Sequence, residues 1–360
     1  MATQKNIIDE AFPETLKILS ELIKFQTVSG TSNVKLIEYC EKKLSKLGAT
    51  SFKTFDKAKQ RVNLFSTISG KQKLNGGGII LSGHTDVVPA SAKEWSSDPF
   101  IATKKNNKVY GRGACDAKGI LAAQITALEQ LRTSGEESIG LLVVVGEEHG
   151  SPGAQAANRL AQSCRYLING EPTDNRLARA TRGVYRVCLS TQGRAAHSSH
   201  PELGESAIEK LLDALVALRE LNLPADEIIG RTTYTIGMLS GGVAPNVVPP
   251  NAEADVNFRT VGPASDVRTC LNGLPDNVSI EDIIVVPPVH LKTIPGFDTE
   301  IFRFTTDIPF LSSWGEPLLI GPGSVQVAHT ADEHVEIAEL ERAVGLYTKL
   351  AHALLTETAE

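Results

Sequence analysis

His84, Asp116, Glu148, Glu171 and His329 each stand just past an apolar run or at the start of a helical pattern. Imidazole nitrogen and carboxylate oxygen suit zinc, cobalt or manganese, and no soft thiolate in the set selects copper. Isolated charges are not normally placed at the ends of buried strands unless something compensates them, and a metal does so. Five donors exceed what one closed tetrahedral ion needs. They therefore predict two divalent ions, zinc or cobalt, with Asp116 as the bridge. Three carboxylates against two dications leave a net positive charge that can polarise a carbonyl, acidify a water and hold a developing oxyanion. Glu147 and Glu148 are adjacent and point in different directions, so a Glu148 that faces metal leaves Glu147 free as general base. Asp86, two residues after His84, is expected to reach the second imidazole nitrogen and fix its tautomer. Gly323 and Ser324 lie in a glycine-rich loop with neither the Lys-Ser/Thr pair nor the helix start of a phosphate loop, which points to the lining of a substrate pocket. His149 and His334 lie near ligand positions and are read as supporting or surface residues.

These residues need a scaffold that gathers them. In Leu141-Leu-Val-Val-Val-Gly-Glu-Glu-His-Gly150, five apolar residues, three of them β-branched, form a run right for a strand covered on both faces. Two carboxylates follow at once. The same grammar recurs in Gly78-Ile-Ile-Leu-Ser-Gly-His-Thr-Asp86, in Tyr166-Leu-Ile-Asn-Gly-Glu171, and from Leu318 to His329. Ligands of open α/β sheets bind beyond the carboxyl ends of the strands, so such segments converge on one site.

Helical spacing of Leu16, Leu19 and Ile23, and of Ile37, Cys40, Leu44 and Leu47, predicts two amphipathic helices. Asn63–Ile68 and Gly78–Ser82 read as strands separated by a polar turn, and Ala117–Arg132 as a helix with Leu121, Ile125 and Leu128 on one face. A layered α/β domain follows. From residue 181 the pattern changes. A strand over Gly183–Gly193 precedes a helix over Glu205–Leu221 with Ile208, Leu212, Leu215 and Leu218 inward. Then come a strand pair, Thr232–Leu239 and Ala252–Arg259, a helix over Ala264–Leu274, and a strand over Val278–Val286. This β-α-β-β-α-β order describes a ferredoxin-like α+β unit at 181–287, inserted into a catalytic domain made of 1–180 and 288–360. A helix carrying Ile337, Leu340, Val344, Tyr347, Ala351 and Leu354 closes the chain.

Composition narrows the function. With 36 Lys+Arg dispersed against 42 Asp+Glu, the chain lacks the basic footprint of a nucleic-acid or anionic-membrane binder. The amino-terminal Met1-Ala-Thr-Gln-Lys-Asn6 has no apolar core of a signal peptide, and no apolar run approaches a membrane span, which makes a cytoplasmic location the default expectation. Cysteines number five, scattered and without a Cys-x-x-Cys pair, and are expected to be free thiols in a reducing compartment.

Taken together, Ser82-Gly-His-Thr-Asp-Val-Val-Pro89, Gly111-Arg-Gly-Ala-Cys-Asp-Ala-Lys-Gly119, Gly146-Glu-Glu, Gly170-Glu-Pro-Thr173 and the 321–333 stretch Gly-Pro-Gly-Ser-Val-Gln-Val-Ala-His-Thr-Ala-Asp-Glu resemble the dinuclear zinc amidohydrolase family. That family includes acetylornithine deacetylase, succinyl-diaminopimelate desuccinylase, aminoacylase and carboxypeptidase G. The resemblance implies that His84, Asp116 and Glu171 hold one ion and Asp116, Glu148 and His329 the other, with Glu147 as base and a cis peptide at Asp116–Ala117. It further implies that His197, in Gly193-Arg-Ala-Ala-His-Ser-Ser199, steadies the oxyanion in a partner subunit's site. Arg259 and Asn246 would hold the substrate α-carboxylate and the oxyanion, and the inserted unit would carry a homodimer. The connector 287–311 is shorter than in many relatives but keeps Thr306-Asp307. Within the family the 321–333 stretch is most similar to acetylornithine deacetylase, which implies deacetylation of N-acetylornithine or acetylcitrulline in arginine biosynthesis. Succinyl-diaminopimelate desuccinylation and a metallo-dipeptidase or carboxypeptidase activity are the alternatives. A non-catalytic binding module that keeps the fold is the alternative of another class.

Overall fold

A computed structural model of the chain describes residues 13–69, 74, 77–91, 93–160 and 164–357. The stretch Met1–Asn6, and most of the polar turn expected before Gly78, lie outside the described residues. Two compact units are present. One is made of the described residues of Met1–Arg179, Leu291–Glu300 and Thr306–Glu360, the other of Ala180–His290 and Ile301–Thr305.

The first unit is built on a six-stranded sheet in the order Thr50–Phe55, Val62–Thr67, Ile139–Val144, Gly78–His84, Cys164–Asn169 and Glu316–Leu319. The first two strands are antiparallel to their neighbours, and the remaining four run parallel to one another. Ile139–Val144 is buried at every position, as a strand in the middle of a two-sided sheet must be. Gly140 has a further reason to lack a side chain, since a Cβ there would lie 2.7 Å from the Ser66 carbonyl and 2.9 Å from Ile80. The parallel strands end at His84, at Val144 ahead of Glu147 and Glu148, at Asn169 ahead of Glu171, and at Leu319 ahead of the 321–329 loop. One edge of one sheet thus receives the chemistry. Helices Glu14–Lys24, Lys118–Thr133 and Ile337–Thr356 pack together in the main core, and Lys118–Thr133 is buried over most of its length. Among the described residues no helix is long and apolar enough to cross a membrane.

Several elements leave no periodic trace in the sequence. The edge strand Thr50–Phe55 alternates only partly buried with exposed positions. A small sheet joins Thr103–Lys105, Lys108–Tyr110 and His334–Glu336, which ties the segment after His329 to the segment before Asp116.

In the second unit, strands Gly183–Gln192, Thr233–Gly241, Asn251–Thr260 and Val278–Val286 and helices Ala207–Glu220 and Ala264–Leu271 follow in the expected β-α-β-β-α-β order. The sheet is antiparallel throughout, with Gly183–Gln192 and Asn251–Thr260 in the middle. Its helix-covered face is made by Tyr185, Val187 and Leu189 with Ala254, Val256 and Phe258. One helix face requires correction. Leu212, expected inward, is 43% exposed, and Ile208 is only partly buried. The buried stripe is Ala207, Leu211, Ala214, Leu215 and Leu218. Adjacent leucines at 211 and 212 allow two stripes one residue apart, and docking on the sheet selects the first.

Candidate metal centre

Asp116 sits between two imidazoles. Its Oδ1 lies 2.9 Å from His84 Nε2, and its Oδ2 lies 3.3 Å from His329 Nε2. His329 Nε2 also lies 2.8 Å from Glu148 Oε1. Two groups result, His84 with Asp116 and Glu171, and Asp116 with Glu148 and His329, in each of which the donor atoms all lie within 4.8 Å of one another. They share Asp116, and Glu147 belongs to neither. His84 ends its strand, Glu171 follows Asn169 through a Gly170 whose N–H donates to the Ser82 carbonyl at 2.8 Å, and Asp116 precedes the helix that begins at Lys118. The Asp116–Ala117 peptide is cis, and His329 has a left-handed backbone with φ 64°.

The donor set suits a cation better than it suits itself. Glu171 is buried, and its Oε1 has no hydrogen-bond partner among the described residues. Burial pushes the Glu171 carboxyl well above its ordinary range, and the Glu147 charge adds to the effect. Burial opposes a charged His84 ring, but the Asp116 carboxylate against it prevails and the pKa rises. Contacts with Asp116 and Glu148 push His329 up to about 10. Both Nε2 atoms stand at hydrogen-bond distance from carboxylate oxygens, so protons and a divalent ion compete for the same nitrogens. Metal binding is expected to release protons, and apparent metal affinity to fall as pH falls, since protonation competes for the same nitrogens. Calorimetric zinc titration in two buffers of different ionisation enthalpy checks this. Equal heats in both would contradict it.

The Asp86 carboxylate does a different job from the one expected. His84 Nδ1 finds its partner in the Asp86 backbone carbonyl at 3.0 Å, whereas the carboxylate oxygen is 3.7 Å away, beyond hydrogen-bond length. That carboxylate accepts instead from the backbone N–H groups of Gly146 at 2.6 Å, Glu147 at 3.2 Å and Glu148 at 3.3 Å, and from Ser29 Oγ at 3.1 Å. Gly146 turns the chain here with φ 89°, a conformation open to glycine at little cost. Asp86 thus fixes the loop that presents Glu147 and Glu148. Asp86→Ala is expected to lower metal affinity by about 10- to 100-fold, measured by zinc titration against a chelating indicator. An unchanged affinity would count against the clamp.

The profile of Peptidase family M20/M25/M40 matches residues 80–353. A peptidase M20 domain-containing protein of Schizosaccharomyces pombe is 36% identical over 281 residues, covering 76% of this chain and 68% of its own. A probable carboxypeptidase of Paracoccidioides lutzii is 37% identical over 310 residues, covering 76% and 70%. The chain belongs to peptidase family M20/M25/M40. In fold it is similar to aminopeptidase PepT of Bacillus cereus, with TM-score 0.79 and 19% identity over 95% of this chain and 98% of the other. An M20 family metallo-carboxypeptidase of Sulfolobus solfataricus gives TM-score 0.75 and 18% identity over 95% and 99%.

Other residues around the M20 centre escaped sequence reading. Glu333 is buried, takes Arg112 Nη1 at 2.6 Å, and accepts the backbone N–H groups of Cys115 and Asp116 at 3.1 Å each. Arg112 in turn lies over the Trp95 ring at 5.2 Å. Asp307, noted in sequence only as a retained pair with Thr306, is buried with an unpartnered Oδ1, and burial pushes its carboxyl up to about 6. Its charge also raises the Glu147 carboxyl, for which burial is the larger cause. Buried charges beside Gly-Arg-Gly and Thr-Asp were the available signal. His149 is exposed, His334 contacts Lys108 and the Asp332 carbonyl, and neither joins a donor group. All five cysteines are free. The loop after Leu319 is held down, with Cys115 Sγ donating to the Ser324 carbonyl at 3.3 Å and the Asp174 N–H to the Gly323 carbonyl at 2.8 Å.

In the second unit, the exposed His197 bridges to Val247, and the Ser198 N–H donates to the Asn246 carbonyl at 3.0 Å, so these two candidates are neighbours. His197 Nδ1 accepts the Ser199 N–H at 3.1 Å, which leaves Nε2 to carry the proton of the neutral ring. Arg259 is not brought to them. It lies near the far end of Asn251–Thr260, roughly 25 Å along the strand at about 3.3 Å per residue.

Proposed function

We propose that the chain is a metal-dependent hydrolase of linear amides in the manner of a carboxypeptidase or dipeptidase, acting on substrates with a free carboxylate beside the scissile bond. The observation that carries this reading is the pair of donor groups joined at Asp116, with Glu147 next to both and bound into neither. His84, Asp116 and Glu171 would hold one divalent ion, and Asp116, Glu148 and His329 the other, zinc being the ion this donor set suits best. When bound, such ions polarise the scissile carbonyl and acidify water. Glu147, raised above the ordinary carboxyl range by burial, takes the proton of the attacking water and returns it to the departing nitrogen. In the homodimer of this reading, His197 and Asn246 of the partner subunit donate to the oxyanion. Gly323 and Ser324 line the approach, and Arg259 receives the substrate carboxylate.

Relatives described as probable carboxypeptidases support peptide substrates over the N-acetylornithine deacetylation expected from the 321–333 stretch. Both reactions break the same kind of bond. A homodimer formed through the second unit and a cytoplasmic setting belong to the same reading. They are supported by the family likeness and by the free thiols. Metal analysis, combined with assays on amino-terminally blocked dipeptides, free dipeptides and N-acetylornithine, tests the proposal. Release of the carboxy-terminal residue from blocked dipeptides is the expected result. Two bound metals with no amide cleaved would favour the binding module, and acetate release alone would restore the deacetylase.

A further inference from the structure

Five arginines of the second unit form no ion pair with an Asp or Glu among the described residues; Arg219 and Arg231 are exposed at the surface, and the other three draw together. Arg182 precedes Gly183–Gln192, Arg259 lies in Asn251–Thr260, and Arg303 follows Thr299–Phe302. Strand register sets Arg259 opposite Val184 on one side and Thr233 on the other. Arg182 reaches the same place, because its Nη1 donates to Thr233 Oγ1 at 3.3 Å. Its backbone N–H donates to the Phe302 carbonyl at 3.1 Å, next to Arg303. Arg182 is only 9% exposed, and its Nε is buried with no hydrogen-bond partner among the described residues. Burial disfavours its charge, and so do the charges of Arg303 and Arg259.

Buried arginines are ordinarily paired. In this unit even the partly exposed Arg186 and Arg268 meet an acid, Asp255 and Asp282, at 2.5 Å each. Among the described residues none of Arg182, Arg259 and Arg303 forms an ion pair with an Asp or Glu. Three like charges gathered without an acid are complementary to an anion of more than one charge. An α-carboxylate answers one guanidinium. A side-chain carboxylate answers a second, a neutral side chain leaves the excess in place, and a cationic one such as ornithine adds to it.

We propose that Arg182 and Arg303 join Arg259 in one site for a dicarboxylate, and that the hydrolase prefers an acidic residue, glutamate or aspartate, on the carboxyl side of the scissile bond. The proposal rests on the amide-hydrolase reading above for its substrate, but not for the site itself.

The test uses the full chain loaded with zinc. Benzyloxycarbonyl-glycyl peptides ending in Glu, Leu or Lys are compared by kcat/KM, and binding of free L-glutamate and L-leucine is followed by calorimetry, which needs no turnover. Glu is expected to exceed Leu and Leu to exceed Lys, the spread narrowing with added salt. Arg303→Gln, at an exposed position that spares the fold, is expected to lower the Glu/Leu ratio about tenfold or more, chiefly through KM. Arg303→Glu should raise Lys relative to Glu, a reversal that a purely structural role does not produce. Arg182→Gln should act in the same direction as Arg303→Gln. Glutamate binding that depends on Arg303, without hydrolysis of any peptide, upholds the site and overturns the hydrolase reading. Hydrolysis with no preference for Glu, together with glutamate binding no tighter than leucine, overturns the site and leaves the hydrolase.

Discussion

Glu147→Ala is expected to lower kcat by about 10²- to 10⁴-fold while the protein keeps its full complement of metal. The reason lies in the separation of two adjacent carboxylates. Glu148 Oε1 lies 2.8 Å from His329 and belongs to a donor group, whereas Glu147 belongs to none. Removing Glu147 therefore removes a proton acceptor and no ligand. Glu148→Ala provides the contrast, since it takes one of three donors from a group and should reduce bound metal. Metal counting by mass spectrometry beside steady-state kinetics separates the two variants. Equal metal loss in both would show that the pair does not divide in this way.

Glu333→Ala is expected to destabilise the protein by about 3–5 kcal/mol, the largest stability effect foreseen for a single side chain here. Both side chains of the Arg112–Glu333 pair are almost wholly buried, at 4% and 1% exposure. Truncating Glu333 would strand the Arg112 charge, and the N–H groups of Cys115 and Asp116 would lose their acceptor. Glu333→Gln keeps the shape and one acceptor oxygen and should cost less. Denaturant unfolding monitors both variants. Metal binding should weaken with stability, because the lost hydrogen bond holds the backbone of the residue common to both donor groups. A Glu333→Ala protein as stable as wild type would show that Arg112 finds another partner.

Of the five candidate ligands, Asp116 showed at the start of a helical pattern and His329 in the loop after Leu318–Ile320, while His84, Glu148 and Glu171 were legible because a parallel sheet imposes a local grammar. A buried apolar run is followed within a few residues by a donor, and the sheet itself carries those ends to one edge. The ferredoxin-like unit was legible for a related reason, its strands alternating cleanly in Gly183–Gln192 and Asn251–Thr260. What escaped depends on pairing across the chain. Asp86 could be placed beside His84 by proximity in sequence, but its hold on Gly146, Glu147 and Glu148 depends on two strands lying side by side in a fixed register. Glu333 and Arg112 are far apart in sequence and meet through a three-stranded sheet too short to show a period. The arginine cluster draws on three separate segments of the second unit. Its meaning resides in missing acids, which no motif records.

The antiparallel pair Thr50–Phe55 and Val62–Thr67 contributes no donor to the centre, and its connecting hairpin 56–61 is largely exposed. Because Leu64 lies opposite Val143 in an antiparallel pair, that hairpin stands at the same edge as the ends of the donor-bearing strands. A fluorophore grafted there would watch the edge without replacing a donor, whereas a bulky tether would crowd it.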